Sequence, residues 1–95
     1  MDYSKVFAYT LEFPQATKEQ YDKAIEKLNL GGKTAPGGIF HLATVTQSGI
    51  KVFDVWESKE AFDTFMAEKL GPVMSELGIQ AGQPEMWSVI NILQK

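Results

Sequence analysis

The chain has 95 residues, 44% of them hydrophobic and 22% charged, with one histidine and no cysteine. That length holds one domain, residues 1–95, and a net charge of −3 argues against a nucleic-acid backbone or an anionic membrane as partner. Without thiols there is no cysteine nucleophile, iron–sulfur cluster or Cys-type zinc site, and with a lone histidine an intrachain metal cage is not expected.

Residues 1–10 contain no long apolar run, so neither a secretory signal nor a membrane span is expected and the reading is cytoplasmic. Residues 5–13 are β-rich and aromatic and predict a first strand, which ends at Pro14 because proline has no N–H for a ladder. Thr17, with Gln20 three positions later, forms a capping box, and Tyr21, Ala24, Ile25 and Leu28 follow at helical spacing. Gly31 is the expected stop.

Residues 31–38 hold four of the eight glycines and predict a flexible connector. Within it Gly32-Lys33-Thr34 imitates the end of a phosphate-binding loop, but Lys27 stands where that motif needs glycine, and a helix precedes it where a strand is required. Residues 39–46 and 50–56 predict an antiparallel hairpin turning at Gln47-Ser48-Gly49. Ser58 then caps a second helix with the apolar stripe Phe62, Phe65, Met66 and Leu70. Gly71-Pro72 is expected to break it, leaving a short helical piece that closes at Gly78, before a last strand over residues 85–93. The order β-α-β-β-α-β predicts a ferredoxin-like α+β fold: a four-stranded antiparallel sheet of order 4-1-3-2 with helices on one face. RNA-recognition modules share this order. Here the third strand lacks their basic-glycine-aromatic signature and the chain is acidic, so nucleic acid is not an expected partner.

Strand parity makes both sheet faces apolar. Phe7, Tyr9, Leu11 and Phe13 oppose Val6 and Ala8; Phe40 and Leu42 oppose Ile39, Ala43 and Val45; Phe53 and Val55 oppose Ile50, Val52 and Trp56; Trp87, Val89 and Leu93 oppose Met86, Ile90 and Ile92. Helices can cover one face only, so the other is expected to meet a second copy of the chain, sheet against sheet.

Two polar residues interrupt these strands. His41 belongs to the one residue type that titrates near neutrality, and Asp54 lies in the facing strand. A two-residue turn at Ser48-Gly49 places His41, Asp54 and Trp56 on one face, as an acid–base pair beside an aromatic wall. A three-residue turn at Gln47-Ser48-Gly49 puts His41 and Asp54 on opposite faces, and composition does not choose between the two. The aromatics Tyr9, Tyr21, Trp56, Phe62, Phe65 and Trp87 fit either a plain core or a ligand pocket between sheet and helices. The hydroxyls of Tyr9 and Tyr21 and the indole N–H of Trp56 favour the pocket, since a core would have to satisfy each of them.

Residues 52–62 run from the third strand into the second helix through Trp56-Glu57-Ser58 to the helical aromatic Phe62, and Gly37-Gly38-Ile39-Phe40-His41 precedes the hairpin. In these segments and in element order over nearly its full length, the chain resembles the dimeric α/β-barrel superfamily, most of all small proteins related to antibiotic biosynthesis monooxygenases. The resemblance implies a homodimer whose sheets face each other, with a pocket in each subunit for a small aromatic or polyketide-like ligand. It further implies a candidate cofactor-independent monooxygenase, in which dioxygen takes electrons from the substrate carbanion with no metal or flavin. Trp56 then matches the family's pocket tryptophan, His41 or Asp54 is the base, and Tyr9, Tyr21, Phe62 and Phe65 join Trp56 around the substrate. Relatives that degrade haem use a histidine on the second helix and an asparagine on the first strand, and this chain has neither. The alternative is a non-catalytic homodimer for binding or structure, in which His41 and the aromatics only pack.

Overall fold

The structure, a computed structural model, describes residues 2–95. In chain order it has β1 (Phe7–Pro14), α1 (Lys18–Leu28), β2 (Gly38–Val45), β3 (Gly49–Trp56), α2 (Lys59–Phe65), α3 (Gly71–Leu77) and β4 (Glu85–Ser88). The strands form one antiparallel sheet, β2-β3-β1-β4, which is the expected order read from its other edge, and the helices pack on one side of it. Among the described residues no helix is long and apolar enough to cross a membrane.

Local chemistry explains most element ends. The Gln20 N–H donates to Thr17 Oγ1 at 3.1 Å and the Thr17 N–H donates to Gln20 Oε1 at 3.0 Å, closing the capping box of α1. That helix stops at Asn29, left-handed at φ 53°, and not at Gly31; asparagine tolerates this conformation, and its N–H satisfies the carbonyls of Ile25 and Glu26. Gly71-Pro72 does not break the second helical run. A π-helical turn over Met66–Leu70 lets the Gly71 N–H reach back five residues to Met66 O, and Pro72 then enters the first turn of α3, where no N–H is required of it. The run ends at Gly78, with Gly78 N–H on Ser75 O and Ile79 N–H on Met74 O.

Residues 31–38 fold against the sheet and α2 as a wall tied by hydrogen bonds at its second half. Ala35 is buried, the Gly38 N–H donates to Ala35 O at 2.8 Å, the Thr34 hydroxyl donates to Gly38 O at 2.8 Å, and the Glu57 N–H donates to Gly37 O at 2.8 Å. Gly37, at φ +86°, touches α2 so closely that an added Cβ would lie 2.5 Å from the Ala61 Cβ.

The hairpin takes neither expected turn. Thr46 N–H donates to Gly49 O at 2.8 Å, so the loop is Gln47-Ser48, and Val45 pairs with Ile50. The end of β1 explains this: the Gln15 N–H donates to Ser48 O at 2.6 Å, and a Cβ on Gly49 would lie 2.3 Å from Phe13 O. Only a glycine fits at that contact. The register therefore moves by two residues from the Ser48-Gly49 turn, which preserves side-chain parity and brings His41 directly opposite Asp54. A bulge between Gly38 and Phe40 makes Ile39 an extra residue and turns it to the open face.

The last strand is shorter than residues 85–93. After Ser88 the alternation fails, and Val89 and Ile92, expected on opposite faces, pack together with Tyr3, Val6, Ala8 and Val55. The Ile92 N–H donates to the Tyr3 hydroxyl at 3.2 Å. The chain's own ends thus cover part of the open face, leaving Phe40 (44%), Leu42 (51%), Phe53 (37%) and Trp87 (46%) in solvent.

The core on the helical side gathers Tyr9, Leu11, Phe13, Ile50, Val52, Trp56 and Phe62. Tyr9 is its most enclosed large side chain, 1% exposed, and its ring meets Phe62 at a centroid distance of 4.7 Å. Burial first, then the adjacent Asp54 carboxylate, raises the Tyr9 phenol above its ordinary pKa. Such a group stabilises the fold below about pH 10; above that the unfolded chain releases the proton and the folded chain keeps it, so stability falls as pH rises. In denaturant titrations above about pH 10, the stability of Tyr9→Phe should fall less steeply than that of wild type, by up to about 1.4 kcal/mol per pH unit. Equal slopes would contradict this account of Tyr9.

Candidate functional site

The register of β2 against β3 builds the site from the strands upward. His41 and Asp54 are opposite each other on the helical face, and His41 Nδ1 lies 2.6 Å from Asp54 Oδ1. Trp56, two residues along the same strand and therefore on the same side, donates its indole N–H to Asp54 Oδ2 at 3.2 Å. From above, α1 supplies Tyr21, whose hydroxyl is 2.6 Å from His41 Nε2. The four side chains form one row: Tyr21, His41, Asp54, Trp56.

Donor and acceptor roles follow from the chemistry of each group. An indole N–H can only donate, so Asp54 Oδ2 accepts. With Asp54 as the carboxylate, its Oδ1 accepts from Nδ1–H of His41, which leaves the Nε2 lone pair to accept the Tyr21 hydroxyl proton. Burial, then the charges of Asp54 and Asp22, raise the pKa of Tyr21 and keep it a neutral phenol able to donate. Asp54 is itself buried, a position a carboxylate tolerates only when its oxygens are matched by donors, as they are here. The Tyr21 and His41 rings are parallel within 2° with centroids 6.0 Å apart; with a 2.6 Å hydrogen bond between them, they meet tip to edge as a flat ribbon and do not stack face to face.

One side of this ribbon faces a cleft of about 600 Å³ between α1, the wall of residues 31–35 and the sheet. Tyr21, His41, Asp54, Trp56 and Phe65 all line it, together with Ile25, Leu28 and Leu30. Trp56 is braced by Phe62 at 5.6 Å and Phe65 at 5.4 Å between ring centroids. The candidate residues therefore separate into groups. His41, Asp54, Tyr21, Trp56 and Phe65 converge on the cleft; Tyr9 lies beneath the ribbon; Phe62 lies behind Trp56 and does not border the cleft.

Sequence reasoning left open whether His41 and Asp54 share a face, did not connect Tyr21 to them, and missed the wall of residues 31–35. The phase of α1, fixed by its capping box, was the available signal for Tyr21, because it points Tyr21 toward the sheet with Ala24 and Leu28. Glycine content concealed the wall. Among the described residues no group of three or more His, Cys, Asp or Glu side chains is gathered closely enough to hold a metal ion.

No family model matches the chain, and no curated protein matches it. Solved structures do. SnoaB of Streptomyces nogalater, a cofactor-independent oxygenase, superposes with a TM-score of 0.68 at 12% identity, over 97% of this chain and 100% of that one. An antibiotic biosynthesis monooxygenase-like protein of Chloroflexus aurantiacus gives a TM-score of 0.66 at 16% identity, over 94% and 97% of the two chains. A protein of unknown function from Nitrosomonas europaea gives 0.60 at 12% identity, over 99% and 96%. The chain thus has the ferredoxin-like fold of the antibiotic biosynthesis monooxygenase-like proteins.

Proposed function

We propose that the protein is a cytoplasmic homodimer that binds a small phenolic or polyketide-like molecule in the cleft and oxidises it with dioxygen, without metal or flavin. The observation that carries this reading is the row Tyr21–His41–Asp54, a charge-backed base whose outer end opens on an aromatic-walled cleft. The shared fold with SnoaB adds a precedent for the reaction class.

In this reading Trp56 and Phe65 hold the flat face of the substrate. The Tyr21 oxygen accepts the acidic proton of the substrate as its own proton passes to His41 Nε2, and Asp54 stabilises the imidazolium through Nδ1–H. The substrate anion then gives its electrons to dioxygen. For a ring methylene, one oxygen atom becomes the new carbonyl and the other leaves as water with the two hydrogens, so CH₂ and O₂ give C=O and H₂O. The protein's part is to orient the substrate, move the proton and exclude bulk water.

Dimerisation would bury Phe40, Leu42, Phe53 and Trp87, an apolar group that a lone subunit leaves in water. Phe40 and Phe53 already meet edge to face at 6.5 Å and form its centre.

Turnover of a panel of phenols and anthrones under oxygen tests the catalytic reading. His41→Ala and Tyr21→Phe should each lower kcat by about 10²–10⁴-fold, whereas Trp56→Phe should mainly raise KM. A wild-type protein that binds these compounds but converts none would leave the non-catalytic binding homodimer as the function. For the dimer, sedimentation at micromolar concentration should give twice the chain mass of 10.6 kDa, and Phe53→Lys should return it to a single chain. A single-chain mass for wild type would refute the dimer.

A further inference from the structure

Asp54 has a neighbour on each side of β3. His41 is its cross-strand partner in β2 and Tyr9 is its cross-strand partner in β1, so the three side chains cross the helical face of the sheet in one line. The Tyr9 ring is fixed there by Phe7, at a centroid distance of 6.2 Å, and by Phe62, at 4.7 Å, and the residue is 1% exposed. With Tyr21, His41 and Asp54 it borders the groove between the sheet, α1 and α3.

A phenol hydroxyl held this deep needs an acceptor, and the carboxylate opposite it offers one. The ionisation of Tyr9 agrees: burial, then the Asp54 charge and a hydrogen bond to that carboxylate, hold the phenol in its protonated form. Asp54 has room for this donor. A carboxylate offers about four lone-pair positions, and His41 Nδ1–H and the Trp56 indole N–H take one on each oxygen.

We infer that the Tyr9 hydroxyl is a third donor to Asp54 and a positioning residue of the site, which holds the carboxylate toward His41 and sets the pH at which His41 takes up a proton. Each added donor shares the carboxylate charge. With Tyr9 in place Asp54 stabilises the imidazolium less, and His41 stays a neutral acceptor for the Tyr21 proton down to lower pH. Around His41 stand Tyr21, Asp22 and Glu26 of α1, Lys33 of the wall, Asp54 of β3 and Tyr9 of β1. Of these only Asp54 and Tyr9 are buried, where water screens their effect least. The hydrogen bond stands on the geometry; its consequence for turnover rests on the oxygenase reading above.

Tyr9→Phe removes the hydroxyl and keeps the ring. Followed through the proton and nitrogen resonances of the single histidine, the variant should titrate about half a pH unit higher than wild type, with its Nδ1–H proton further deshielded. Leu11→Val, a packing change in the same strand and core that leaves the hydroxyl in place, should move neither. Should Tyr9→Phe fail to fold, the wild-type protein gives a second reading, a slowly exchanging resonance from the Tyr9 hydroxyl proton. An unchanged histidine titration in folded Tyr9→Phe, or a Tyr9 hydroxyl proton in rapid exchange with water, overturns the proposal. In turnover of phenols by Tyr9→Phe, the acid limb of the kcat profile should move to higher pH with the histidine while KM is unchanged; a limb that stays in place overturns the positioning role. A histidine shift in a protein that oxidises no phenol upholds the Tyr9 bond and contradicts the oxygenase function.

Discussion

The pairing of His41 with Asp54 across β2 and β3 depends on where one turn closes, and the rest of the site depends on that pairing. The Gln47-Ser48 loop is fixed from outside the hairpin, by the Gln15 N–H on Ser48 O and by the close approach of Gly49 to Phe13 O. A slip of one residue would turn His41 toward the open face and leave Asp54 buried without its partner. The backbone contact at the end of β1 thus decides, several residues away, that a carboxylate, an imidazole and an indole N–H meet beneath α1. The capping box completes the row by setting the phase that brings Tyr21 to the imidazole.

The same sheet carries a second, unfinished surface. On the helical side its residues are close-packed around Tyr9, Trp56 and Phe62; on the other side the chain's own ends cover Val6, Ala8 and Val55 and leave four large apolar side chains in water. A domain of 95 residues has little apolar area to spare. Covering that face with a second copy would add to its stability and stiffen the sheet that holds His41 and Asp54, linking assembly to the precision of the site.

Sequence carried the architecture because periodicity and caps are local. Thr17 and Gln20, Ser58 and Gly78 each mark an element end, and strand parity separates Tyr9, Leu11 and Phe13 from Ala8. Non-local features were not legible. The stop at Asn29, the wall of residues 31–35 and the continuation through Pro72 depend on tertiary contacts or on a π-helical turn that composition does not announce. The early end of β4 is of the same kind, since beyond Val89, whose N–H still reaches Val6 O, Ile92 turns to pack over Val6 and Ala8. For the site, residue types identified His41, Asp54 and Trp56, but only the observed register made them neighbours, and only the fold distinguished Phe65, at the cleft, from Phe62 behind it.

The central claim is that Asp54 orients His41 so that its Nε2 is the base that accepts the Tyr21 hydroxyl proton. Long-range proton–nitrogen correlation of the single histidine reads this directly. At a pH where the ring is neutral, the proton should reside on Nδ1, strongly deshielded by the short bond to Asp54, and Asp54→Asn should erase that signature. A neutral ring protonated on Nε2 in the wild-type protein would mean that His41 offers no base to the cleft, and would contradict the account.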